Sequence, residues 1–185
     1  MKIQRVSRIL KTLLMALAFC AASVGVAQQP PVKSPLLDRL AGKWVLQGTI
    51  AGQATTHDVD AEWVIDHHYL RLHEVSREKN AQGQPQYEAT IYIAWNEPTK
   101  QYAAVWLDDY GGLLPSSVGL ADPKENEFPF IFKDDKGAVS FSNDFVYDVA
   151  ADTWEWRMDN VVNGAAKPFG RVRLKRSNAA GDKQG

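Results

Sequence analysis

Apolar residues fall on every second position through most of this chain. Tyr87, Ala89, Ile91, Ile93 and Trp95 alternate without a break. Trp154, Trp156 and Met158 share one side of a segment whose other side carries Glu155, Arg157 and Asp159. Val139, Phe141, Phe145 and Tyr147 share a face interrupted by Asn143. A period of two is the geometry of a β-strand with one apolar face. The same reading predicts strands over 43–51, 55–66, 69–79, 86–96, 101–110, 117–121, 127–133, 138–147, 153–160 and 169–175. "NAQGQP", "EPTK", Gly111-Gly112, "DPKEN", "DDKG", "AAD" and "NG" supply turns between them. One helix is predicted: Ser34 caps it, Pro35 suits its first turn, and Leu36, Leu37 and Leu40 share a side before Gly42 stops it. The fold class is all-β. About eight to ten strands in an antiparallel, up-and-down meander remove their edges by closing into a barrel behind a short N-terminal helix.

The stretch "EWVIDHHYLRLHE", residues 62–74, holds three histidines and three carboxylates. Strand periodicity scatters them. With His67-His68 as a two-residue hairpin turn, Ile65 meets Leu70, Trp63 meets Leu72 and Ala61 meets Glu74 on one face. Val64 meets Arg71, Glu62 meets His73 and Asp58 meets Arg77 on the other. Opposite charges then ladder the wet face, and the imidazoles diverge without metal-ligand spacing. Glu74 does not fit this division, because the register turns it toward the apolar side. Either the strand bulges or leaves the barrel there, or Glu74 is a polar contact in a cavity with His57 as its companion. The segment around Tyr102–Tyr110 allows either face inward; Trp106 inward is favoured because an indole buries more area than a valine. Asp108 and Asp109 read as a solvated strand end, since adjacent strand residues point to opposite faces and cannot share one substrate.

Composition narrows the setting. Lys2, Arg5, Arg8 and Lys11 precede an apolar run, Leu13–Val26, that ends in Gly25-Val26-Ala27. This pattern predicts a signal peptide over 1–27, with a run shorter than the roughly 20 residues of a membrane span. A polar linker (28–34), one domain (35–176) and a loose tail (177–185) follow. The single cysteine, Cys20, would leave with the signal, so the expected periplasmic or secreted chain has no disulfide and no thiolate chemistry. The formal net charge is already −1, and losing the leader's four basic side chains makes it more acidic. No basic patch with interleaved aromatics favours nucleic acid. Phosphate loops, nucleophile elbows and paired metal ligands are absent, so no cofactor is expected.

"LAGKW" (Leu40–Trp44) opens the first strand and "RVRLKR" (Arg171–Arg176) closes the last. This resembles the lipocalin-like, or calycin, pattern, in which a Gly-x-Trp is covered by a basic side chain of the final strand. The resemblance gives Gly42 and Trp44 that structural role, with Arg171 or Arg173 as the covering cation. The middle of the chain is similar to an uncharacterised family of bacterial lipocalin-like proteins with no catalytic residues to carry over. Nitrobindin-like barrels bind haem through a histidine, but the surroundings of His57 do not match theirs. The resemblance and the alternation together predict a barrel that binds a small hydrophobic ligand in its interior. The expected lining is Trp63, Glu74, His57, Ile93, Trp95, Trp106, Phe141, Trp154 and Trp156. A solid-core barrel acting through its surface, or an enzyme using Glu74 and His57, are the competing expectations.

Overall fold

The computed structural model describes residues 34–112 and 114–177. The expected signal peptide, all of the linker but Ser34, and all of the tail but Ser177 lie outside the described residues. Helix α1 (Pro35–Leu40) is followed by ten strands: β1 (Gly42–Ile50), β2 (Gln53–Val64), β3 (Tyr69–Ser76), β4 (Glu88–Asn96), β5 (Gln101–Asp108), β6 (Val118–Ala121), β7 (Glu127–Lys133), β8 (Val139–Asp148), β9 (Thr153–Val162) and β10 (Ala165–Arg176). Each strand pairs antiparallel with the next, and β10 returns to pair with β1, closing the barrel. The all-β barrel and short leading helix read from the sequence are the observed fold.

Alternation explains why the ribbon closes. Leu70 and Leu72 on β3, Ile91 and Ile93 on β4, Phe128, Phe130 and Phe132 on β7, and Trp154 and Trp156 on β9 are all buried on the inner face. The β9–β10 hairpin turns at Asn163-Gly164, both in the left-handed region with φ of 52° and 75°. That geometry suits the Asn-Gly pair. Strand β6 is the shortest; its register with β7 runs only through Gly119↔Phe132 and Leu120↔Ile131.

Two details depart from expectation. The β2–β3 hairpin pairs Val64 with Tyr69, Trp63 with Leu70, Ala61 with Leu72 and Val59 with Glu74. The turn therefore takes four residues, 65–68, with Ile65, Asp66 and His67 all at positive φ. The register shifts by two positions, so every side chain keeps its expected face while its partner changes. Glu62 pairs with Arg71, and His73 reaches Glu88 on β4 at 2.8 Å rather than Glu62. The Arg77–Asp58 ion pair forms at 2.6 Å, now as a diagonal neighbour. The second departure is the covering cation. Arg171 and Arg173 point outward, as their parity requires, and Arg176 lies over the Trp44 ring, 3.7 Å from its centroid.

Helix α1 plugs the end of the barrel where Arg176 sits. Ser34 Oγ accepts the Leu37 N–H at 3.3 Å, and Leu36, Leu37 and Leu40 are buried. The Trp44 indole N–H donates to the Leu40 carbonyl at 2.7 Å. Arg176 donates to the Ala41 carbonyl at 2.7 Å, to the Arg39 carbonyl at 3.0 Å, and to Asp152 at 3.1 Å. It thereby satisfies carbonyls that a helix end leaves without partners. Gly42 makes room for it: a Cβ there would lie 2.5 Å from Arg176 Nη1, and φ is 124°. Beneath this cap, Trp154 stacks on Phe128 at 6.0 Å and tilts against Tyr147 at 5.0 Å, and Tyr102 meets Phe128 edge-on at 4.8 Å.

Candidate functional site

The opposite end is hollow. A cavity of about 520 Å³ opens among the ends of β2, β3, β5, β8, β9 and β10 and the loop before β6. Its walls include Trp106, Trp156, Phe132, Phe141, Phe169 and Met158. The inner face supplies these by alternation, so the wall is apolar for the same reason that the plug is. Trp106 and Trp156 meet edge to face at 6.4 Å, and Phe141 contacts Phe132 and Phe169 at 5.8 Å each.

Glu74 and His57 stand on one side of this cavity. Strands β2 and β3 run through without a bulge, so Glu74 stays inward and is 2% exposed, with His57 at 3%. The structure therefore decides between the two readings of Glu74 in favour of burial. Glu74 Oε1 lies 2.5 Å from His57 Nδ1. His57 Nε2 lies 2.7 Å from Thr55 Oγ1, and Thr55 donates to Glu78 Oε2 at 3.0 Å. Glu78 also accepts the Ser76 hydroxyl at 2.8 Å and the Thr56 N–H at 2.9 Å. Burial pushes the Glu78 carboxyl up, but these donors outweigh it and hold the group below its ordinary value.

The chain of donors fixes the protons. The hydroxyl hydrogen of Thr55 is committed to Glu78, so its oxygen accepts from His57, and Nε2 carries a proton. One further proton lies between Nδ1 and Glu74 Oε1. Glu74 Oε2 is buried and has no hydrogen-bond partner among the described residues. Tyr87 stacks on His57 at 5.7 Å, and its oxygen accepts the Trp106 indole N–H at 2.8 Å. Burial, reinforced by the Glu74 charge, pushes the Tyr87 hydroxyl far above its ordinary value, so it keeps its hydrogen.

The residues predicted to line a ligand site divide between the two ends. His57, Glu74, Trp106, Phe141 and Trp156 line the cavity. Ile93 and Trp154 are buried in the packed core, Trp63 packs against it, and Trp95 is half-buried. The Trp63 indole N–H donates to Asp38 of α1 at 3.0 Å, and Trp95 stands edge-on to Tyr102 at 5.2 Å. Sequence reasoning did not single out Tyr87, Thr55, Ser76 or Glu78. A signal for them existed: Thr55 and His57 on one strand, and Glu74, Ser76 and Glu78 along the next, put polar residues on inward parity where apolar ones are expected.

The chain matches no family model, and no curated protein is significantly similar to it. Among the described residues no three His, Cys, Asp or Glu side chains converge as a metal site, and no helix is long and apolar enough to cross a membrane.

Proposed function

We propose that this chain is a secreted or periplasmic lipocalin-like protein that binds a small, largely apolar molecule in the open half of its barrel. The observation that carries the reading is the aromatic cavity of about 520 Å³. Known ligand sites are concave, mostly apolar and roughly 300–1,000 Å³, with a few placed polar groups. The Trp106–Trp156 wall supplies the apolar part, and Glu74 and Tyr87 supply the polar part. The solid-core alternative describes the plugged half of the same barrel, where the rings fill the space.

Titration of the mature chain with a naphthalene-class probe, read by tryptophan fluorescence, tests this. Saturable quenching is expected, reduced in Trp106→Phe because that indole lines the cavity. A flat response to apolar aromatics, lipids and quinones alike would sink the proposal.

A further inference from the structure

We infer that the ligand is uncharged and carries a hydroxyl group of phenol type, which donates to Glu74 Oε2 and accepts from the Tyr87 hydroxyl. This rests on the reading of the cavity as a binding site and deepens it. The chemistry follows from the atoms that face the cavity with unused capacity. Glu74 is 2% exposed, lines the cavity, and leaves Oε2 without a protein partner among the described residues. A buried carboxylate oxygen in this state is costly, and a donor beside it recovers the loss. Tyr87 also lines the cavity. Its oxygen is occupied by the Trp106 N–H, which leaves its hydrogen to give. An acceptor and a donor on neighbouring side chains match a group that is both.

Charge selects against the alternatives. His57 already engages Glu74 at 2.5 Å, so a cationic ligand would have to share that carboxylate and shed its water in an aromatic pocket. An anionic ligand would meet Glu74 Oε2, an acceptor oxygen with no protein partner among the described residues, and Asp108 also lines the cavity. A neutral hydroxyl avoids both costs. The rings of Trp106, Trp156, Phe132 and Phe141 then take an aromatic body by stacking and edge contacts.

The test compares three probes on the folded, mature chain by calorimetry: a naphthol, its methyl ether and naphthylmethylammonium. The naphthol is expected to bind at least about tenfold tighter than the ether, which shares its shape but cannot donate. Naphthylmethylammonium is expected to bind more weakly than either. In Glu74→Leu the naphthol preference should vanish. In Glu74→Gln, which keeps an acceptor oxygen and tests the point if the leucine variant does not fold, it should shrink to a few-fold. Tyr87→Phe should weaken naphthol and ether together and leave their ratio in place. Equal binding of naphthol and ether to the unaltered chain would overturn the hydroxyl inference while leaving an apolar site. Preference for the ammonium would overturn the uncharged ligand. Failure of all three probes to bind would overturn the cavity reading itself.

Discussion

At one end of the barrel Trp44, Trp154 and Phe128 are fully buried, and the Trp44 and Trp154 indole N–H groups donate to the Leu40 and Arg39 carbonyls. At the other, Trp106, Phe141 and Phe169 are only partly buried and face a space large enough for a ligand. Both ends come from the same alternating strands. The difference is what enters the mouth. Helix α1 inserts Leu36, Leu37 and Leu40 at one end, and Arg176 seals it from above. At the far end the strands finish in loops, and the inward positions change from leucine and phenylalanine to His57, Glu74 and Ser76. A barrel of this width can be filled by side chains or leave room for one small molecule, and this chain is filled at one end and hollow at the other.

Four measurements would break or sharpen that contrast. The largest effect is expected from Trp44→Ala, which empties the plugged end. Denaturant unfolding should show a loss of about 3–5 kcal/mol, whereas Phe141→Ala, at the hollow end, should lose about 1–2 kcal/mol because its site is already partly open. Comparable losses would mean that the two ends are equally packed. Next, on the proposed function, a naphthol at a hundred times its dissociation constant should stabilise the protein by about 2.7 kcal/mol. That gain should survive Arg176→Ala and, at the same naphthol concentration, fall to about 1.4 kcal/mol in Glu74→Leu, where the roughly tenfold preference for the hydroxyl is lost. Arg176→Ala itself should cost about 1–3 kcal/mol, from the lost cation–π contact and the carbonyls left without donors. Ligand affinity in that variant should be unchanged.

The smallest effects are in pH, and the two ends should differ in sign. Hydrogen bonds from Arg176 hold Asp152 below its ordinary carboxylate value despite some burial. A depressed folded value contributes stability above the unfolded value of 3.8, lost as pH falls through the folded one. Asp152→Asn should flatten that acid limb. At the hollow end, burial and then the neighbouring Asp109 charge raise Asp108. Its ionisation therefore opposes folding once pH rises above 3.8, and Asp108→Asn should be the more stable protein at neutral pH. A stability profile in which both variants move the same way would contradict the contrast.

The barrel was legible because parity is robust. The β2–β3 hairpin is two positions away from its expected register, yet each inward residue remains inward, since a shift of two preserves the face. The turn itself was not legible. Ile65 is β-branched and sits at φ 51°, a conformation such residues rarely adopt, and His67 stacks on Trp63 at 5.9 Å. Parity also identified Glu74 and His57 as inward. It did not separate Trp156 from Trp154, which stand two positions apart on one strand but meet the cavity and the plug respectively. That distinction depends on height along the barrel axis, which strand stagger sets and side-chain alternation does not record. The covering cation shows the same limit from the other side. Parity alone excludes Arg171 and Arg173, but selecting Arg176 requires the register that pairs it with Trp44.

Strand β6 gives the barrel a preferred place to part. Its seam with β7 holds only two register pairs, next to the loop that borders the cavity. Gly119 leaves space there for the Phe132 ring, which would come within 2.6 Å of any Cβ. Amide hydrogen exchange should therefore be quicker for the N–H groups that bridge β6 and β7 than in the other strand interiors, and, on the proposed function, a brief unzipping of that seam would give a guest molecule a route other than the rim.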